Sequence, residues 1–141
     1  MTRQRTIRKA KDERGQALVE FALVAPILLL ILLAIVQCGI AFNHYLTLTD
    51  AVRAGTREAA VSRSLPNPAG VAEARVRAAA SGSLDDNELD VTVTFKDLNG
   101  GGQVVQGGDV TVKATYPFEI KILGITFGDG TLTSETTERV E

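Results

Sequence analysis

The first half of the chain is dominated by one continuous apolar stretch. Between Phe21 and Phe42 there is no charged residue, and Gln37 is the one strongly polar side chain. As a helix these residues span about 33 Å, close to the roughly 30 Å hydrocarbon core of a bilayer. The block Ile27–Val36 lacks the polar face that a core helix of a soluble protein shows. We therefore predict a transmembrane helix.

The helical pattern continues beyond the apolar stretch, because no helix breaker lies between Phe42 and Val61. Here the helix becomes amphipathic, and small residues recur every four positions at Ala51, Gly55 and Ala59. Such a stripe allows a close neighbour to approach. The neighbour could be a second helix or sheet of the same subunit, which is the commoner case, or another subunit of a filament.

The second half of the chain changes from a helical to a strand-like period. A turn at Ser64–Gly70, with two prolines, precedes a short alanine-rich helix. Strict alternation of apolar and polar residues then predicts two half-buried antiparallel strands, and a threonine-rich stretch predicts an edge strand. The predicted elements are a helix at Val71–Ala80, strands at Leu89–Lys96 and Asp109–Tyr116, and an edge strand at Leu132–Val140.

The segments between these strands are less regular. Glycine clusters predict turns at Asn99–Gly102 and Gly128–Gly130, with room for a short strand at Gln103–Gln106. Tyr116–Phe127 is apolar without clear alternation, and we expect a loop or bent strand that covers the sheet and exposes a contact patch of aromatic residues. The predicted fold class is α+β: a long N-terminal helix, a short second helix and a small antiparallel sheet head, pilin-like in outline.

Charge is distributed unevenly, although the net charge is only −2. Residues 1–15 carry six basic and two acidic side chains, whereas residues 81–141 carry four basic and eleven acidic ones. Basic residues stay on the cytoplasmic side of a membrane helix, so the N-terminus is predicted inside and the head outside. A short basic leader before an apolar helix does not suggest nucleic-acid binding, which usually uses a basic face of a folded domain.

Residue types that carry catalysis or bind metals are sparse. The single cysteine, Cys38, excludes an intrachain disulfide, and the single histidine, His44, is placed where an interfacial anchor is expected. An acidic run at Asp85–Asp90 lacks the spacing of an EF-hand loop, so we interpret it as a solvated turn. The nucleotide-binding and hydrolase motifs that sequence inspection can detect are missing. We expect no enzymatic activity, no metal and no cofactor.

One motif at the start of the apolar stretch carries a family resemblance. A basic leader ends in Gly15 and is followed by Gln16-Ala17-Leu18-Val19-Glu20-Phe21 and the apolar helix. This arrangement resembles a class III prepilin signal. The longer sequence from Arg14 to about Val61 is similar to the TadE-like pseudopilins of the tight-adherence (Flp) pilus of bacteria.

The resemblance implies a processing event and a set of partners. A prepilin peptidase would cut between Gly15 and Gln16 on the cytoplasmic side, and the new amine of Gln16 would pair with Glu20 of a neighbouring subunit. Further implied partners are other pilin or pseudopilin subunits, the pilus assembly platform with its ATPase, and the lipid of the inner membrane. Glu20 could instead be solvated at the headgroup boundary. Pro26 removes a helix hydrogen bond to Ala22 and should bend or loosen the helix.

The predicted organisation is a cleaved leader at 1–15, a transmembrane and extended helix at 16–62, and an exported head at 63–141. The predicted function is that of a structural pseudopilin or minor pilin in the assembly or initiation of a tight-adherence, type IV-like pilus. The alternative is an uncleaved single-pass envelope protein whose exterior head binds a ligand or partner. The location is the bacterial cytoplasmic membrane, crossed once, with the possibility of incorporation into a surface pilus.

Overall fold

The computed structural model describes residues 3–97, 102, 104–122 and 124–141, with side chains from Gly15 onward. It contains two helices and three strands in these ranges, and the predicted α+β fold class is confirmed. The elements are α1 (Arg3–Val61), α2 (Pro68–Ala80), β1 (Asp90–Lys96), β2 (Asp109–Ile122) and β3 (Ile125–Arg139). The chain divides into two compact units, Met1–Cys38 and Gly39–Glu141.

The first unit consists of the N-terminal part of α1, which has no charged residue from Phe21 to Cys38. The helix passes through Pro26 without interruption of its assigned range. Its most apolar 18-residue window has a mean hydropathy of 2.9, and none of that window is buried. A helix this long, with its apolar side chains exposed all round, is suited to lipid rather than water. It is the candidate membrane span of the described chain.

In the second unit, the C-terminal part of α1 buries one stripe of its surface. The buried positions follow the helical period, which brings them to one side. Thr56 is the polar member of this stripe, and its hydroxyl donates to the carbonyl oxygen of Val52 at 2.7 Å, so no hydrogen-bonding group is left unsatisfied there. The stripe comprises Leu48, Ala51, Val52, Gly55, Thr56, Ala59 and Ala60.

Helix α2 lies against this stripe at its smallest residue. A Cβ atom placed on Gly55 would come within 2.3 Å of Cγ2 of Val76 and 3.1 Å of the carbonyl oxygen of Ala72. Val76 and Ala72 are fully buried. The predicted close approach of a second helix is therefore confirmed, and it takes place within the subunit.

Helix α2 begins three residues earlier than the sequence pattern predicted. The side chain of Asn67 accepts a hydrogen bond from the backbone N–H of Gly70 at 3.0 Å, and Pro68 occupies the first turn. This is the capping arrangement that proline and asparagine favour at a helix start. The end of the predicted turn, from Pro68 to Gly70, therefore belongs to the helix instead.

The three strands form one antiparallel sheet in the order β1-β2-β3. β1 pairs with the first half of β2, from Asp90 opposite Thr115 to Lys96 opposite Asp109. β2 pairs with β3 over its whole length. The three predicted strands are confirmed in position, and β3 is an edge strand as predicted, but β2 and β3 are much longer than predicted.

At Tyr116–Phe127 we predicted a loop or bent strand that covers the sheet, and the segment instead contains the end of β2, the chain reversal and the start of β3. The prediction of a turn at Gly128–Gly130 was wrong, because these residues lie within β3. β2 continues to Ile122, and the chain reverses near Gly124, which has a φ of +82° that favours glycine. Pro117 has no N–H to donate to a neighbouring strand. It is tolerated because β1 starts at Asp90, opposite Thr115, and so does not pair with this part of β2. Gly130 lies inside β3, where a Cβ would come within 2.8 Å of the ring of its cross-strand partner Phe118.

Part of the region between β1 and β2 falls outside the described residues. The predicted turn at Asn99–Gly102 and the first residue of the predicted strand at Gln103–Gln106 lie there, apart from Gly102. Of the rest of that predicted strand, Val104 and Val105 are irregular and Gln106 is in a turn. No strand is present among these described positions.

The core of the second unit joins α1, α2 and the sheet. The inward side chains of β2, among them Val110, Val112 and Ala114, are fully buried and belong to one cluster with the helix stripes. At the end of β3, Val140 is also buried, and the next backbone N–H, of Glu141, donates to the carbonyl oxygen of Ala60 at 3.0 Å. That carbonyl lies in the last turn of α1, where a helix has no partner of its own.

We expect Gly55→Leu to destabilise the second unit. Four additional side-chain carbons would enter the contact with Val76 and Ala72, and overpacking of this kind costs about 1 to 3 kcal/mol. For a loss of about 1.4 kcal/mol, amide exchange that requires global opening accelerates about tenfold. The measurement is hydrogen exchange of the amides of Val110–Ala114, in detergent solution.

Gly39→Leu is the matched control, because Gly39 lies on the same helix with no heavy atom within 4 Å of the position that a Cβ would occupy. Exchange at the β2 amides should stay at the wild-type rate in this variant. Equal exchange in Gly55→Leu and wild type would contradict the tight contact between α1 and α2.

Candidate functional site

The candidate site is the segment from Gly15 to Pro26, which the sequence motif singled out. All of it lies on α1 in the first unit, and its predicted residues follow one another over three helical turns. The structure therefore gives each of them a helical backbone, and their side-chain positions follow from the helical period.

Gly15 presents an open backbone. It is exposed, and no heavy atom lies within 4 Å of the position that a Cβ would occupy. Glycine in a helix interior costs about 1 kcal/mol relative to alanine, so the helix is locally weak at this residue. The backbone at Gly15 is therefore both accessible and easier to unwind than the rest of the segment.

The structure brings Gln16 and Glu20 together. The side-chain amide of Gln16 donates to Oε1 of Glu20 at 3.1 Å, one helical turn along the same face. Both residues are exposed. The contact differs from the pair that the resemblance implies, because it uses the side chain of Gln16 within one chain rather than a backbone amine beside another subunit. The implied pair remains a prediction.

The surroundings of Glu20 are apolar. Val19 is 61% exposed and Phe21 is 68% exposed, so the carboxylate is flanked by large side chains that have no protein contact to shield them. In water such side chains are unfavourable, and in lipid an ionised carboxylate is unfavourable. Glu20 thus lies at the start of the candidate span, where water disfavours its apolar neighbours and lipid disfavours its charge.

Pro26 lies six residues after Glu20 and is exposed within α1. It has no N–H, so the carbonyl oxygen of Ala22 lacks the usual donor four residues ahead. The assigned range of the helix is continuous across this point. The predicted bending or loosening of the helix remains a prediction.

His44 has a structural contact that sequence reasoning missed. Its ring meets that of Tyr116 edge-on, with centroids 5.6 Å apart and planes at 84°. The hydroxyl of Tyr116 also accepts the backbone N–H of Asp85 at 3.3 Å. Tyr116 thereby joins α1 to the turn before β1. These partners are too far apart in sequence for a local pattern to reveal them.

The acidic run at Asp85–Asp90 contains hydrogen bonds typical of a turn. Asp86 accepts from Arg77 of α2 at 2.8 Å, and Asp85 accepts from the backbone N–H of Asn87 at 2.9 Å. The hydrogen bonds of Arg77 to Asp86, and then to Glu73, raise the pKa of Arg77 above its ordinary value. Among the described residues, no three His, Cys, Asp or Glu side chains are grouped so that they could hold a metal ion.

Two further surfaces lie outside the motif, and the second belongs to the segment Tyr116–Phe127, which we expected to expose a patch of aromatic residues. An open groove of about 470 Å³ lies where the end of α1 meets the end of β3, lined by side chains of both charge signs and by Ala60 and Val61. At the other end of the sheet, Ile125 and Phe127 of β3 are each 63% exposed.

The motif segment coincides with a match to a known family. Residues 15–57 match the family model described as TadE-like protein. The match starts at Gly15, includes Gln16, Glu20 and Pro26, and continues along α1 into the buried stripe. The resemblance recognised in the sequence is therefore confirmed over this segment. No curated protein and no solved structure matches the chain.

Proposed function

We propose that this TadE-like protein of the tight-adherence pilus system is a pseudopilin or minor pilin that acts in assembly or initiation of the pilus. The observation that carries the proposal is the coincidence of three features at one place on α1. The family match begins at Gly15, that glycine is open to approach, and Glu20 follows at the start of the candidate span.

Processing is the first step of the proposed function. A prepilin peptidase cuts between Gly15 and Gln16 and creates a cationic amine at Gln16. In a helix this amine lies about 6 Å along the axis from the Cα of Glu20, since each residue adds 1.5 Å. The contact between the Gln16 and Glu20 side chains shows that residues at this spacing share one face. Cleavage would thus add a positive charge to the same face of α1.

Assembly is the second step. An unpaired carboxylate in a medium of low dielectric is costly, whereas a charge pair with good hydrogen bonds can offset that cost. We infer that the amine of one subunit meets Glu20 of the next, which favours the assembled state over a single subunit in lipid. In this role the protein hydrolyses nothing, and the energy for extraction comes from the ATPase of the assembly machinery.

Orientation follows from the flanking charges. The six basic residues of the leader keep the N-terminus in the cytoplasm, and the acidic head is exported. This places the bond between Gly15 and Gln16 on the cytoplasmic side, where the proposed peptidase acts.

Processing can be tested by determining the mass of the protein from cells with an active prepilin peptidase. We expect a chain that starts at Gln16. Gly15→Val should leave the chain at full length, because a branched side chain would block the close approach to the backbone that Gly15 allows.

Gly39→Val is the matched control, because Gly39 is another open glycine of α1 outside the motif. It should be processed like the wild type. A wild-type chain that retains its leader in such cells would rule out processing and would favour the uncleaved single-pass anchor.

The role of the carboxylate can be tested with two substitutions. Glu20→Val removes the charge and the hydrogen bond, whereas Glu20→Gln removes only the charge and keeps a side chain that can bond to Gln16. We expect both variants to insert into the membrane, and both to lower incorporation into pili about tenfold, which corresponds to roughly 1.4 kcal/mol.

Asp50→Asn provides a control with the same change of charge on α1. Its side chain is 80% exposed and its ion pair with Arg53 is long, at 3.9 Å, so pilus incorporation should not change. Normal incorporation of Glu20→Gln would refute the charge pair and leave the cleavage proposal intact.

A further inference from the structure

Gln16 is the residue that the proposed cleavage turns into a new N-terminus. Its side chain is exposed, and the backbone of the preceding Gly15 has no heavy atom near the position that a Cβ would occupy. A glutamine with a free α-amine has a reaction that most residues lack, because its own carboxamide carbon and amine can close a five-membered ring. The identity of this residue therefore matters once the chain has been cut.

The reaction is an intramolecular condensation. The nitrogen of the α-amine attacks Cδ of Gln16, a C–N bond forms, and the bond from Cδ to Nε2 breaks. The side-chain nitrogen leaves as ammonia, and no oxidant, reductant or second substrate is required. Both groups belong to one residue, so proximity favours the step, and an α-amine is partly unprotonated at neutral pH. The product is a lactam of the pyroglutamate type, which has no basic nitrogen.

In the intact chain the carboxamide of Gln16 is engaged elsewhere. Its Nε2 donates to Oε1 of Glu20 at 3.1 Å, so the side chain reaches toward the residue one helical turn later. Ring closure instead needs Cδ beside the backbone nitrogen of Gln16 itself. Glu20 therefore competes with the amine for this side chain. Because an exposed hydrogen bond between side chains four residues apart is weak, the competition slows the cyclisation without preventing it.

On the proposed processing between Gly15 and Gln16, we propose that Gln16 is a site of N-terminal cyclisation, which limits the time during which a processed subunit can assemble. The lactam lacks the cation that the proposed pair with Glu20 of a neighbouring subunit requires. In that pair the amine carries a proton, so it has no lone pair for the attack, and assembly protects it. A processed subunit that stays alone in the membrane is converted to the lactam.

The test follows the N-terminal fragment of the processed full chain by mass spectrometry. The protein is purified in detergent from cells with an active prepilin peptidase and kept at neutral pH. Cyclisation makes the fragment that begins at Gln16 lighter by one ammonia and abolishes its labelling by amine-reactive reagents. A fragment mass is needed because Asn99, which precedes Gly100, is of a type that loses ammonia by succinimide formation.

Gln16→Asn is the matched control. Asparagine carries the same carboxamide on a side chain one methylene shorter, so the same attack would have to close a strained four-membered ring. Glu20→Val removes the partner that holds the carboxamide of Gln16.

We expect the wild-type fragment to convert to the lighter form and the Gln16→Asn fragment to keep its amine. Glu20→Val should convert about twofold faster than the wild type, which is the effect of losing one weak hydrogen bond of this kind. In cells in which protein synthesis has been stopped, the lactam should accumulate in the membrane and be several-fold rarer in sheared pili.

A wild-type chain that starts at Gln16 and keeps its amine would overturn the cyclisation and leave the proposed processing intact. Equal fractions of lactam in the membrane and in pili would overturn its effect on assembly. Conversion of Glu20→Val at the wild-type rate would overturn the competition by Glu20. A wild-type chain that retains its leader would remove the free amine, and with it both the cyclisation and the proposed processing.

Discussion

The constraint on which this structure depends is that one helix has to satisfy two different environments. Along the candidate span of α1, large apolar side chains from Phe21 to Phe42 are exposed, an arrangement that suits lipid better than water. From Leu48 onward the same helix buries a single stripe and exposes charged residues such as Arg53 and Arg57. The change from a uniformly apolar to an amphipathic pattern, within the range of α1, marks where the packed core of the second unit begins.

The buried stripe of the amphipathic part of α1 could be predicted from the sequence, because the spacing of its residues along one helix is sufficient to define it. Ala51, Gly55 and Ala59 fall on one face by the helical period alone, and only a close neighbour makes small residues useful there. What the pattern could not decide was which neighbour is present. The contact of Gly55 with Val76 answers that question, and it leaves this stripe unavailable for another subunit.

The hairpin was harder to predict because its signals conflicted. Pro117 and the glycines at 128 and 130 are turn residues by composition, and they outweighed the alternation of Phe118, Ile120 and Ile122 with charged neighbours. In the structure the proline lies where no third strand needs its N–H, and Gly130 makes room for the ring of Phe118. Both explanations depend on strand pairing, which the local sequence does not contain. The contact of His44 with Tyr116 and the cap at Asn67 were likewise not predicted, because the sequence pattern did not reveal the partners of these side chains.

The candidate site, unlike the hairpin, is defined mainly by the sequence. The structure adds to the motif a single contact, between Gln16 and Glu20. The charge of Glu20 matters for the proposed assembly because apolar side chains contribute little to association in lipid. When an apolar helix leaves lipid for a bundle of similar helices, its leucines and isoleucines exchange one apolar environment for another, so the hydrophobic effect contributes little. Packing remains, but most of the exposed side chains at Leu28–Leu32 are interchangeable in shape. A charge is different, because its free energy changes strongly between unpaired and paired states in a low dielectric. In the proposed pilus, Glu20, directly before the apolar stretch, is therefore the residue best able to distinguish a correctly registered neighbour from lipid.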